Sequence, residues 1–228
     1  MQIQVPNVPI AFFDLDETII NEDANSLWLK WRVPRSVLSL PELCIGLYNR
    51  HYYKRGRLTE RKMFLYFQAR TMGLSGDAYR RMAQRFFHEK GRHHVYAGAL
   101  EMIDAHRDRG IHTVIITGQD NFITEPFCDR LGVDGFISNR RIERGRRLGG
   151  FHTPNCYGAG KITLAGDYAR TRGCALRECS FFTDSISDLP LMREVGHPVA
   201  VNPDPELRSI AENAKWRICS FDTVVSLN

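Results

Sequence analysis

Apolar residues fall into two regimes along the chain. The run Pro9-Ile10-Ala11-Phe12-Phe13 ends in acidic residues and predicts a buried strand over 9–13 whose far end opens to solvent. Between 21 and 94 apolar residues recur at helical spacing instead: Leu27, Trp28 and Trp31, then Met63, Phe64 and Phe67, then Tyr79, Met82 and Phe86. Breaks at Pro34, Pro41, Gly56 and GLSG (73–76) divide this stretch into three or four helices, with no strand among them.

From Gly98 the pattern alternates. Helices are predicted over 99–109, 122–131, 161–172, 186–194 and 206–213. Strands are predicted over 111–117 (IHTVIIT, β-branched and apolar), 135–138, 179–183, 198–201 and 215–219. The polar, Gly-rich stretch 140–152 reads as a surface hairpin. Strands alternating with helices imply an α/β protein, with a mostly parallel sheet covered on both faces. The all-helical block cannot join that sheet. It is placed as a separate cap over 21–94, inserted into a core formed by 1–20 and 95–228.

Composition narrows the class. A chain of 228 residues holds one sizeable core, or one core plus a small accessory domain. Its 43% hydrophobic and 25% charged residues exclude disordered and collagen-like classes. No apolar run approaches the ~18–20 residues that cross a bilayer. The N-terminal stretch lacks a basic start followed by a long apolar run, so it does not read as a signal peptide, and a cytoplasmic location is expected. Six scattered cysteines without a C-x-x-C pair read as free thiols in a reducing compartment. The net charge of +5 is concentrated in 51–62, 80–94 and 140–147. Such runs read as solvated faces, or as attraction for a phosphorylated substrate, an acidic membrane surface or a nucleic acid. No nucleic-acid reader motif accompanies them.

Asp14 and Asp16 end the first strand. Side chains two apart on a strand point the same way, so both carboxylates meet in the crevice where α/β proteins bind ligands. Placing two like charges together raises one pKa sharply, and a hard divalent cation held by oxygen ligands would offset that cost. The strand over 111–117 delivers Thr117, Gly118 and Gln119 to the same edge. The strand over 179–183 is followed by Asp184 and Asp188, and Lys161 opens the helix before it. Each residue also has a plain structural reading: strand-end hydroxyl, helix-terminal lysine, helix N-cap. Together they supply a nucleophile, an acid, metal ligands, a phosphate hydroxyl and a phosphate cation on one side of the sheet.

These segments, D-x-D-x-T at 14–18, Thr117, Lys161 and D-x-x-x-D at 184–188, resemble the haloacid dehalogenase superfamily. EDANSLW (22–28), TDSISDLPLM (183–192) and VGHPVAVNPDPELR (195–208) resemble its IB hydrolase branch, which is phosphoserine-phosphatase-like. The resemblance implies a Rossmann-like core with an inserted all-helical cap of the C1 type. It implies a phosphatase in which Asp14 attacks phosphorus to give an aspartyl-phosphate. Asp16 protonates the leaving oxygen and then activates water. Asp14, the Asp16 carbonyl and Asp184 hold Mg²⁺, while Thr117, Gly118 and Lys161 hold the phosphoryl group. Asp188 orients Lys161 and the metal waters. Two places depart from the family pattern: Glu17, where a small residue is usual, and Gly118-Gln119 after Thr117.

The cap chooses the substrate in this superfamily. Asp23, or Glu22, matches the acidic residue that holds a substrate ammonium in phosphoserine phosphatases. The stretch corresponding to their cap arginine, 63–67, has none, with Arg57, Arg61 and Arg70 nearby. Most of the aromatic residues Trp28, Trp31, Tyr48, Tyr52, Tyr53, Phe64, Tyr66 and Phe67 read as helix packing; a minority could face a bulkier phosphomonoester. The pairs His51-Tyr52 and His93-His94 read as solvated. The expected partner is a small phosphorylated metabolite: phosphoserine-like, histidinol-phosphate-like or a lipid head-group phosphate. Transfer of the phosphoryl group to an acceptor alcohol, a non-catalytic phosphate-binding module and a nucleic-acid binder stand as alternatives.

Overall fold

The computed structural model describes residues 5–36, 40–53, 60–145 and 147–227. Every residue of the first strand, β1 (Ile10–Phe13), is buried. Four helices follow: α1 (Ala24–Arg32), α2 (Leu40–Tyr53), α3 (Glu60–Arg70) and α4 (Gly76–Glu89). A two-residue strand, β2 (Val95–Tyr96), leads into α5 (Ala97–Arg107), β3 (His112–Asp120), α6 (Asn121–Leu131) and β4 (Gly135–Asn139). A hairpin of β5 (Arg141–Arg144) and β6 (Arg147–Phe151) precedes α7 (Ala159–Thr171) and β7 (Ser180–Thr183). The chain ends with α8 (Leu189–Met192), β8 (His197–Val201), α9 (Pro205–Asn213), β9 (Arg217–Cys219) and β10 (Val224–Val225).

Six strands form one parallel sheet in the order β4-β3-β1-β7-β8-β9. Alternation along β1 divides the interior in two. Ala11 and Phe13 face one hydrophobic cluster and Ile10 and Phe12 the other, as the two-residue period of a doubly covered strand requires. The chain leaves β1 for β3 on one side and reaches β7 on the other. A crevice therefore opens at the carboxyl ends of β1, β3 and β7.

The helical block contributes no strand to this sheet among the described residues, and its ends are fastened together. Asn21 N–H donates to the His94 carbonyl at 2.9 Å and Tyr96 N–H to the Ile19 carbonyl at 2.9 Å. β2 pairs with β10 near the C-terminus, a small antiparallel sheet too short to leave a periodic signal. The block also shares its core with the sheet: Trp28, Trp31, Tyr79 and Phe86 lie in the same cluster as Phe13, Ile115 and Phe122. Trp28 is fully buried, with ring centroids of Trp31, Tyr79 and Phe86 at 5.4, 5.6 and 5.3 Å. Tyr66 and Phe67 are buried too, whereas Tyr48 is exposed. The side chains of His51, Tyr52, Tyr53 and Phe64, and Arg57 as a whole, lie outside the described residues.

Besides β2 and β10 and small shifts at element ends, three differences from the sequence reading bear on the site. β3 continues to Asp120 rather than stopping at 117, because Asp120 pairs with Asn139 after a shift in register. The helix expected over 186–194 breaks into a 3₁₀ turn (Ile186–Asp188) and the single turn of α8, where Pro190 supplies no N–H. The hairpin is not a free surface feature. Gln68 Nε2 donates to the Gly149 carbonyl at 2.9 Å, Arg141 Nη2 to Thr71 Oγ1 at 2.8 Å, and the Phe67 and Phe151 rings lie 4.9 Å apart. All six cysteines are free thiols, and no described helix is long and apolar enough to cross a membrane. His93 is exposed and His94 half-buried, and they bond Ser226 and Asn21.

Because Trp28 joins the helical block to the sheet, Trp28→Ala should cost about 3–5 kcal/mol. Urea denaturation followed by circular dichroism reads this directly, and a loss below about 1 kcal/mol would show that the cluster closes around the gap.

Candidate active site

Asp14 follows β1 directly, and its N–H extends the ladder by donating to the Phe182 carbonyl at 2.8 Å. Lys161 lies in the first turn of α7. Gly160 allows that turn to sit there, since a Cβ at this position would lie 2.0 Å from the Asn155 carbonyl oxygen. The Lys161 ammonium donates to Asp14 Oδ1 at 2.8 Å and Asp188 Oδ2 at 2.7 Å, all three side chains being buried. Thr183 Oγ1 donates to the same Asp188 oxygen at 2.8 Å. Burial opposes the ammonium charge, but Asp14 and Asp188 keep Lys161 protonated, above its ordinary pKa. Burial raises Asp14 and Lys161 pulls it back, leaving it at about 6.

Asp16 lies one residue beyond Leu15 and reaches solvent in part. Its Oδ1 accepts the Ala24 N–H at 2.7 Å and its Oδ2 accepts Gln119 Nε2 at 2.8 Å. Burial, then the charges of Asp23 and Asp14, push its pKa well above the ordinary carboxylate value, against those two hydrogen bonds. Asp184 follows β7 and accepts from Thr18 Oγ1 at 3.1 Å. Burial, then the charges of Asp14 and Glu17, push Asp184 up to about 9.

Thr117 is buried in β3, and its Oγ1 accepts the Gln119 N–H at 3.2 Å. Its own hydroxyl hydrogen is thereby turned to another acceptor. Asn139 Nδ2 donates to the Gly118 carbonyl at 2.7 Å while its Oδ1 accepts the Cys156 N–H at 2.7 Å. A Cβ at Gly118 would meet only the Cys156 carbonyl, at 3.6 Å. Asp204 Oδ2 accepts the Ile186 N–H at 2.6 Å and fixes the loop that carries Asp184 and Asp188. Glu17 has φ 55°, a left-handed turn that costs an ordinary side chain about 1–2 kcal/mol. That backbone accounts for the small residue usual at this place.

Asp23 is the N-cap of α1. Its Oδ1 accepts from Asn25 N and Nδ2, each at 3.2 Å, and its Oδ2 from Ser26 N and Oγ at 3.0 and 2.9 Å. Beyond it a buried polar network crosses into the helical block. Arg70 donates to Asn25 Oδ1 at 2.7 Å, Tyr66 OH at 2.5 Å and Glu42 Oε1 at 2.9 Å, and Arg32 donates to Glu42 Oε2 at 2.9 Å. Asp120 accepts from Tyr79 OH at 2.6 Å and caps α6 through Phe122 and Ile123 N–H. Sequence reasoning named Arg70 only as a neighbour and missed Thr18's partner, Asn139, Asp120 and Asp204. Their sole sequence signal is a polar residue beside a motif.

The predicted residues Asp14, Asp16, Thr117, Gly118, Lys161, Asp184 and Asp188 thus share one crevice, with Asp23 joined to it through Gln119. No cluster of three His, Cys, Asp or Glu side chains stands ready for a metal among the described residues. A set of two carboxylates and one backbone carbonyl, from Asp14, Asp184 and Asp16, nevertheless fits a hard cation that keeps several waters. Asp14 and Asp184 repel each other, with one ammonium nearby. That uncompensated charge is what a divalent cation at this place would neutralise.

A family model for haloacid dehalogenase-like hydrolases matches residues 11–193. A histidinol-phosphatase of Neisseria meningitidis serogroup C is 29% identical over 223 residues, which cover 93% of this chain and 98% of that one. A phosphoserine phosphatase of Albidiferax ferrireducens is 26% identical over 219 residues, covering 92% and 85%. Among solved structures, a protein of unknown function from Bordetella pertussis Tohama I has a TM-score of 0.83 at 25% identity, covering 92% of this chain and 97% of that one. A substrate-bound phosphoserine phosphatase shares the fold, with a TM-score of 0.66 at 16% identity over 95% and 94% of the two chains. The matched span 11–193 takes in every residue of the crevice from Asp14 to Asp188, so the chain belongs to the haloacid dehalogenase-like hydrolase family.

Proposed function

We propose that the chain is a Mg²⁺-dependent phosphatase that hydrolyses a small alkyl phosphomonoester through an aspartyl-phosphate on Asp14, with residues 21–94 acting as the cap over that site. Its class, a phosphomonoesterase, follows from its family and phosphatase relatives. The observation that carries the mechanism is the buried Asp14–Lys161–Asp188 row, with Asp16 held separately by Ala24 and Gln119.

In this reading an Asp14 carboxylate oxygen attacks phosphorus as the ester P–O bond breaks. The Asp16 proton passes to the leaving oxygen, which departs as an alcohol. Water then attacks phosphorus, Asp16 takes its proton, and the P–O bond to Asp14 breaks, releasing phosphate. Lys161 and the Thr117 hydroxyl hold phosphoryl oxygens as charge shifts, and Asp188 with Thr183 keeps the ammonium aimed. Mg²⁺, held by Asp14, Asp184 and the Asp16 carbonyl, would screen the attacking carboxylate from the phosphate dianion.

For the substrate we favour a monoester bearing a cationic group. Asp23, Asp16 and Glu17 place carboxylates near the mouth, and a relative matched along nearly its whole length is named for histidinol phosphate. Histidinol phosphate and O-phosphoserine are the first compounds to test.

Asp14→Asn should lower phosphate release by about 10³-fold or more, measured with Mg²⁺ over a metabolite panel that includes an aryl phosphate. Undiminished release would refute the nucleophile. Asp23→Ala should weaken only cationic substrates; a uniform loss across the panel would refute its contact with a substrate cation. A third expectation concerns pH. Asp14 and Asp184 sit above their unfolded values, at about 6 and about 9. In metal-free protein their contribution to stability is therefore fully present below the unfolded carboxylate pKa. It is lost as pH rises through 6 and then 9. Since a cation binds the deprotonated carboxylates, the melting-temperature gain from added Mg²⁺ should grow from acid to alkaline pH. A gain that shrinks over that range would overturn the ligand assignment.

A further inference from the structure

Gln119 is a buried amide facing two carboxylates. Its Nε2 donates to Asp16 Oδ2 at 2.8 Å and to Asp23 Oδ1 at 3.4 Å, while its Oε1 is buried with no donor among the described residues. We infer that Gln119 is the positioning residue that fixes Asp16 for proton transfer to the leaving group, an inference that rests on the phosphatase reading above.

Three features of the geometry carry it. Asp16 lies on the turn beyond β1, and its carboxyl torsion is soft and two-fold. The Ala24 N–H at 2.7 Å ties one oxygen only; the Gln119 bond at the other oxygen fixes the plane of the group. Second, a primary amide has two hydrogens on one nitrogen, so the Gln119 Nε2 that holds Asp16 also reaches Asp23 Oδ1 at 3.4 Å and ties the two side chains together. Third, burying an amide costs desolvation free energy, and Gln119 is almost fully buried. An apolar side chain of the same length would pack there without that penalty, so the amide is kept for its donors. Packing alone does not explain it.

The consequence depends on the leaving group. An alkoxide needs its proton as the P–O bond breaks, whereas a nitrophenolate departs without one. A displaced Asp16 therefore harms alkyl esters selectively.

The test uses Gln119→Met, which keeps the length and removes both donors and the unpaired acceptor, together with Gln119→Ala. Neither disturbs the backbone bond to Thr117. With Mg²⁺ present, kcat and KM are measured on p-nitrophenyl phosphate and on whichever of histidinol phosphate or O-phosphoserine the unmutated protein cleaves faster. In both variants kcat on the alkyl ester should fall about 10²-fold with little change in KM, and on the aryl ester less than about fivefold. Equal losses on the two esters, or no loss on either, would overturn the positioning role while leaving the phosphatase reading intact. If the unmutated protein cleaves neither ester, the phosphatase reading itself fails, and the inference fails with it.

Discussion

A buried ammonium between two carboxylates is the constraint around which this active crevice is arranged. Lys161 meets Asp14 and Asp188 at 2.8 and 2.7 Å with almost no access to water. Removing Lys161 would leave two buried carboxylates without their cation, whereas removing either carboxylate would leave the ammonium with one partner instead of two. The row spans three separate parts of the chain: the end of β1, the first turn of α7 and the loop after β7. Its geometry therefore requires the parallel order β3-β1-β7, the close approach at Gly160 and the Asp204 anchor under the loop. Asp16 and Asp184 add two further carboxylates to the same edge. Burial first, and neighbouring carboxylates second, raise Asp14 and Asp184 there.

Much of this was legible in the sequence because the chemistry sits at strand ends. A short apolar run that stops in acidic residues states both the strand and its open end, as at Phe13-Asp14 and Thr183-Asp184. The α/β class and the all-helical insertion followed from a change of period at about residue 94. Boundaries were less legible where backbone pairing or proline decided them, as at Asp120 and around Pro190. The surface hairpin was legible, but its seat against α3 was not, because Arg141 and Gly149 look solvated until their partners Thr71 and Gln68 are known.

What the sequence could not show were contacts between side chains distant in the chain. Gln119 was visible only as a departure from a family pattern, and its meaning depends on Asp16 and Asp23, about a hundred residues earlier. Arg70 was visible as one arginine among several, although it joins Glu42, Asn25 and Tyr66 in one network. Glu17 is the reverse case. Its oddity was plain in the sequence, and its left-handed backbone supplies the reason.

The fastened base of the helical block constrains how the block can move. The two crossings at 19–21 and 94–96 are hydrogen-bonded to each other, and α1 and α4 contribute Trp28, Tyr79 and Phe86 to the cluster beneath them. A swing of the whole block would expose those rings, each worth about 1.5–3 kcal/mol when buried. Among the described residues the outer pair, α2 and α3, is joined inward by polar groups of Arg70, Arg32, Gln68 and Thr71, and by apolar contacts such as Phe67 against Phe151 and Leu29 beside Gly46. Hydrogen bonds can be exchanged for water at small net cost. The contact of α2 and α3 with the rest of the chain is therefore the part of the helical block that separates at the smaller cost.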